Sequence, residues 1–183
     1  MQISAGLLMY RILENQGPLE VLLVHPGGPY WKNKDDGVWT IPRGNVEEGE
    51  DLLVAAIREF SEETGLVPEE SFISLGEIRH RSGKRVHAWA FSGSCDPAWI
   101  SSNTFEIEWP PKSGRRERFP EIDRAGFFTI PMAIQKIMPA ERPLLDRLIG
   151  SLSNLQEKLI GSWDILAADV LSVPTGSKAP HSR

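Results

Sequence analysis

The sequence predicts an α/β domain in which a mixed β-sheet lies between helices. Three observations lead there. Apolar, β-rich stretches recur along the chain, separated by glycine- and proline-bearing turns. Residues 51–64 carry a helical stripe in place of alternation. Two further helical patterns follow the last strand, at about 131–138 and 142–160.

Taken in order, residues 2–12 and 20–25 are apolar and read as a hairpin joined by the turn-like Glu14–Pro18. Residues 26–37 hold Pro26, Gly27, Gly28, Pro29 and Gly37 and read as a loop. Trp39 is expected to be a packing residue. In the helix expected at Asp51–Thr64, the residues Leu53, Ile57, Phe60 and Thr64 fall on one side, the stripe a helix buries. Gly65 suits the left-handed residue that ends it, and Pro68 follows. Residues 72–80 and 85–92 form a second hairpin around Ser82-Gly83. Residues 93–118, with three prolines, read as a long irregular insertion. Phe127–Ile130 reads as a strand. Leu145, Leu148, Ile149, Leu152, Leu155 and Leu159 keep helical spacing, so the last helix is expected to run into a C-terminal extension, 150–183. After Val173 the composition cannot supply a core, and a disordered tail is expected.

Global quantities exclude several classes. A chain of 183 residues suits one domain with a sizeable core. The net charge of −5 argues against stable nucleic-acid binding. Cys95 is the single cysteine, so no internal disulfide is expected. No signal-peptide pattern and no run near the ~20 apolar residues of a membrane span occur, which points to a cytoplasmic protein. A monomer or a homodimer fits the leucine stripe.

The chemistry concentrates on the 51–64 helix. Glu59, Glu62 and Glu63, at i, i+3 and i+4, share the face opposite the apolar stripe. Three carboxylates so close repel one another unless a cation sits among them, and hard divalent ions take such oxygen ligands. Arg58, one turn before Glu62, can orient a carboxylate through its forked donors. Gly44 permits a close backbone approach, and Arg43 can hold a phosphate oxygen. Elsewhere Arg79, His80, Arg81, Lys84, Arg85 and His87 cluster on the second hairpin. Lys112, Arg115, Arg116 and Arg118 form a second basic group.

Gly44, Glu50, Arg58-Glu59, the apolar Phe60, Glu62-Glu63, Gly65 and the apolar Leu66 match the pattern G-x5-E-x7-R-E-U-x-E-E-x-G-U at every fixed position. The chain therefore resembles the Nudix hydrolases over about residues 3–149, which sets an expected domain of 1–149. Glu-Trp-Pro-Pro and Phe-Pro-Glu-Ile-Asp-Arg are similar to a predicted NTP-pyrophosphohydrolase branch. The resemblance implies an α/β/α sandwich and Mg²⁺ or Mn²⁺ held by Glu59, Glu62, Glu63 and the Gly44 carbonyl. It implies water attack on a diphosphate linkage of a nucleoside triphosphate or dinucleoside polyphosphate. Glu62 or Glu121 would serve as base, with Arg58 assisting. Asp123, Glu117 and Glu108 compete with Glu121 for its role. Arg43, Arg79, Arg81 and Arg85 would hold the phosphates of a small-molecule nucleotide. Triphosphorylated RNA 5′ ends are the alternative substrate, and a non-catalytic nucleotide sensor is the alternative role. The family's proline and tyrosine signposts for ADP-ribose and diadenosine tetraphosphate are replaced by Arg81, Ser82 and Gly83. The basic hairpin then favours substrates with more phosphates over ADP-ribose.

Overall fold

The computed structural model describes residues 2–13, 17–68 and 71–171, with 159–171 as backbone only. The chain divides into two compact units, Met1–Leu148 and Ile149–Arg183. In chain order the strands are β1 (Ile3–Ile12), β2 (Leu19–Pro26), β3 (Arg43–Asn45), β4 (Ile73–Arg79), β5 (Arg85–Ser92), β6 (Thr104–Glu108), β7 (Arg116–Pro120) and β8 (Ile122–Thr129). The helices are α1 (Leu52–Thr64), α2 (Ile130–Lys136) and α3 (Arg142–Leu171).

Six strands form a mixed sheet ordered β4-β5-β1-β2-β8, with β3 also on β1. Strand β1 is its centre. It runs parallel to β5 from Ile3↔Arg85 to Tyr10↔Ser92. On its other edge it pairs antiparallel with β2 near Tyr10↔Val21 and with β3 at Ala5↔Gly44. Flanked on both edges and covered on both faces, β1 is buried without a break from Ser4 to Met9. On one face Ala5, Leu7, Met9, Leu22 and Phe91 meet Ala55, Ala56 and Phe60 of α1. Leu8 and Leu23 alternate to the other face, and the C-terminal elements bring buried Ile137, Leu144, Leu145 and Leu148. The result is a mixed α/β sandwich.

Helix α1 ends at Gly65 as the sequence predicts, and it starts one residue later than expected, with Asp51 as its cap. The Asp51 side chain accepts from the amides of Leu53 and Val54, satisfying two donors of the first turn. Gly65 takes φ 73° and returns its amide to the Ser61 carbonyl at 2.8 Å. Of the expected stripe, Phe60 and Thr64 are buried, while Leu53 and Ile57 are partly buried against the core. Trp39 is buried, edge-on to Phe128.

The insertion departs from the expectation. Residues 104–120 form a separate two-stranded sheet, β6 with β7, with Phe105 opposite Phe119. Strand β8 begins five residues before Phe127, at Ile122, because Ala125 and Arg124 pair with Val24 and His25 of β2. A 3-10 turn, Pro139–Glu141, separates α2 from α3. The second unit is helical through Leu171, and Ile149 and Leu155 of the leucine stripe are exposed. The expected tail after Val173 lies outside the described residues, as do positions 14–16 of the first turn. Among the described residues no helix is long and apolar enough to cross a membrane.

Candidate active site

Strand pairing builds the site. Gly44 sits opposite Ala5 in the β1–β3 ladder, and α1 packs against both strands. This brings the C-terminal half of α1 against the backbone of Arg43 and Gly44. The approach is so close that a Cβ on Gly44 would overlap the Glu59 carboxylate. A side chain at position 44 would therefore displace that carboxylate.

The three glutamates of α1 occupy three environments, not one solvated face. Glu63 is partly buried and accepts a hydrogen bond from the Arg43 amide at 2.8 Å. Burial, with smaller contributions from Glu59 and Glu121, pushes its carboxyl up to about 8. Glu59 accepts from Arg58 Nη1 at 2.9 Å, and burial raises its pKa despite that partner. Glu62 is the most exposed of the three, 3.4 Å from the same nitrogen.

Arg58 is the organiser. Its Nε and Nη2 grip both oxygens of Glu50 at 2.8 and 2.9 Å, and Nη2 also donates to the Asn45 carbonyl at 3.0 Å. The guanidinium holds the Glu50 carboxyl down at about 2. Glu50 in turn accepts from the Glu47 amide, so the loop between β3 and α1 is tied to the helix.

A buried carboxylate that the sequence reading missed supports Arg43. Glu141 is fully buried and accepts from Arg43 Nε at 2.7 Å, the Ile41 amide at 3.1 Å and the Thr40 hydroxyl at 2.8 Å. Burial opposes its charge, but His80, Arg43 and Thr40 outweigh it and hold the pKa below the usual range. His80 Nε2 lies 3.6 Å from Glu141, too far for a hydrogen bond, and has no other partner among the described residues. Only Nε of the Arg43 side chain is engaged, so among the described residues its two terminal nitrogens keep their donors for a ligand.

The basic hairpin is divided. Arg79 donates to Glu77 at 3.0 Å, Arg85 pairs with the same carboxylate, and His87 lies 3.3 Å from it. Arg85 foremost, then Arg79, hold the Glu77 carboxyl at about 2. Arg79 and Arg85, expected at the substrate, therefore have part of their forks filled by a carboxylate. Arg81 is exposed and lines a cleft with His80 and Met138. The hairpin cation whose charge reaches Glu141, Glu59 and Glu63 is Lys84. Its Nζ is half-buried, 3.5 Å from Asn45 Oδ1, and burial followed by the Arg43 charge lowers its pKa.

Of the four acids weighed for a supporting role, Glu121 adds its charge to Glu59 and Glu63. Its backbone bonds Gly27 and Asn103 at 2.8 Å each, fixing it at the mouth of β8. Asp123 is bonded to His25 at 2.6 Å, and Glu108 accepts from the Gly114 amide. Glu117 makes no ion pair among the described residues.

Among the described residues no three acidic, histidine or cysteine side chains already converge on one point. Glu59 turns to Arg58 and Glu63 to the Arg43 amide. The donor set nonetheless fits a hard divalent cation. Glu63 is a desolvated carboxylate with a single hydrogen-bond partner, beside a second carboxylate lodged on a backbone that has no side chain.

The domain is an α/β sandwich that sets the acidic face of α1 beside the glycine-bearing strand β3. The NUDIX domain family model matches residues 4–148, and the chain belongs to the Nudix family. An RNA pyrophosphohydrolase of Caulobacter vibrioides is 46% identical over 55 residues, which are 27% of this chain and 32% of that protein. The RNA pyrophosphohydrolase of Rhizobium meliloti is 27% identical over 133 residues, 64% of this chain and 74% of the relative. Among solved structures, a Caenorhabditis elegans Ap4A hydrolase binary complex superposes with a TM-score of 0.58 at 25% identity, covering 84% of this chain and 99% of that one. The chain spans about a third of the length of the Caulobacter relative.

Proposed function

We propose that this protein is a metal-dependent pyrophosphohydrolase that splits a phosphoanhydride linkage of a nucleoside triphosphate or dinucleoside polyphosphate by attack of water on phosphorus. The observation that carries the reading is the pairing of half-buried Glu63 with Glu59 against Gly44, beside an Arg43 whose terminal nitrogens make no bond among the described residues. A divalent ion held by Glu59, Glu62, Glu63 and the Gly44 carbonyl would neutralise the diphosphate and lower the pKa of water. Arg43, fixed at Nε by Glu141, would orient a phosphate oxygen through its terminal nitrogens. Lys84 adds a second cation on the same side, and Arg79, Arg81 and Arg85 stand farther out as a field that attracts polyphosphate. Glu62 or Glu121, both exposed, would take the proton of the attacking water. Arg58 keeps Glu59 in place through its grip on Glu50.

The test is a panel of nucleotides with Mg²⁺ or Mn²⁺, products identified by mass. The expected ranking puts nucleoside triphosphates and dinucleoside polyphosphates above ADP-ribose in kcat/KM. ADP-ribose as best substrate would overturn the substrate class. The RNA pyrophosphohydrolase relatives favour triphosphorylated RNA ends as a second reading. A short 5′-triphosphate RNA in the same panel decides between them.

A further inference from the structure

The 93–118 insertion builds a cleft that the catalytic groups leave unused. Its volume is about 550 Å³, within the range of small-molecule sites. The walls come from the β6–β7 hairpin and from the loop after β2. Trp109 and Phe119 supply aromatic faces, and Tyr30 stands edge-on to Trp109 at 5.2 Å between centroids. Tyr30 is 58% exposed. Lys32, Asn33 and Glu117 line the same cleft, all exposed and without a side-chain partner among the described residues. The set therefore offers aromatic surface, one cation, one anion and one amide.

That combination does not suit a phosphate, which would call for cations without a carboxylate beside them. It suits a neutral heterocycle with donors and acceptors on its edge. Base stacking on exposed aromatic rings is a general mode of nucleotide recognition, and a free carboxylate accepts from amino and ring N–H groups. The cleft is also in the right place. Pro120 and Asp123 line it on either side of Glu121, whose amide and carbonyl are anchored to Asn103 and Gly27. Glu121 in turn adds its charge to Glu59 and Glu63, which links the cleft to the acidic helix.

We propose that the cleft lined by Trp109, Phe119 and Glu117, with Tyr30 edge-on to Trp109 beside it, is a nucleobase subsite, binding an amino-bearing base by stacking and by hydrogen bonds to Glu117. The proposal rests on the pyrophosphohydrolase reading for its substrate class, but its test needs neither metal nor turnover. Full-length protein labelled with ¹⁵N is titrated with GMP in chelator, and the indole N–H signals of its 6 tryptophans are followed, Trp109 being assigned with Trp109→Phe. The Trp109 signal should move and saturate with GMP and stay still with inorganic tripolyphosphate. Trp109→Ala should weaken GMP binding about 10- to 100-fold. A Trp109 signal unmoved by millimolar GMP, or moved equally by tripolyphosphate, would overturn the subsite. Failure of the catalytic reading would show separately, as absence of hydrolysis with Mg²⁺ whatever the titration gives.

Discussion

Gly44→Ala puts a methyl group into space held by the Glu59 carboxylate. Three atoms of that carboxylate lie inside contact distance of the new Cβ, so the group must retreat by at least ~1 Å. It can do so cheaply, because it is the free end of a flexible side chain. The backbone at Gly44 needs no left-handed conformation, so alanine adds no strain to β3. The structural loss is the Arg58–Glu59 ion pair, partly exposed and worth about 0–1 kcal/mol. That shifts the melting temperature by no more than ~4 °C for a domain of this size. The catalytic loss is larger, since a ligand displaced by ~1 Å costs on the order of 10²-fold. Calorimetry and steady-state hydrolysis of a nucleoside triphosphate with Mg²⁺ separate the two. A variant with wild-type kcat would refute the placement of Glu59 at a working metal site. A variant that melts ten degrees or more early would show that Gly44 serves the fold.

Gly6→Ala is the complementary case: its Cβ would meet Arg43 Cβ at 2.6 Å and the Pro42 carbonyl at 2.7 Å, both unable to swing away, so calorimetry should show a loss of about 1–3 kcal/mol. Glu63, protonated more readily in the fold than in the unfolded chain, favours the folded metal-free protein below pH ~4.5, and this contribution is lost as pH rises through about 8. Its size is on the order of 4 kcal/mol, so in chelator the melting temperature should fall between pH 5 and 9, and Glu63→Gln should flatten that fall. Glu141→Ala strands the Ile41 amide and releases Arg43, so denaturation should show a loss of about 3 kcal/mol. Glu141→Gln, which keeps an acceptor, should recover most of the stability while raising KM for triphosphates; equal stability of both variants would refute the role.

Much of this was legible in the sequence because it is local. The stripe and the Gly65 exit of α1 lie within one helix, where 3.6-residue periodicity speaks directly. The parallel β1–β5 pairing was not legible, since it joins residues 82 apart by register alone, as at Ile3↔Arg85. Nor was the burial order of the glutamates. The spacing of Glu59, Glu62 and Glu63 puts them on one face, but the Arg43 amide selects Glu63 for desolvation. Glu141 lies 98 residues from Arg43, with no motif around it. Lys84 stood among five other basic or histidine side chains of one hairpin, and only the position of Glu77 separates it from Arg79 and Arg85. The β6–β7 hairpin did carry a signal. Thr104–Glu108 alternates as Thr-Phe-Glu-Ile-Glu, with Phe105 and Ile107 the less exposed, and the prolines around it obscured the pattern.

The central claim is that the α1 glutamates serve water attack on a phosphoanhydride. Hydrolysis of a nucleoside triphosphate in ¹⁸O-water, with and without Mg²⁺ and with mass detection of both products, tests it most directly. One ¹⁸O should enter a single phosphate-bearing product, only with the metal, and Glu62→Gln should lower the rate by at least ~10²-fold without changing the melting temperature. Label in no product from any nucleotide, or an undiminished rate in Glu62→Gln at saturating Mg²⁺, would contradict it.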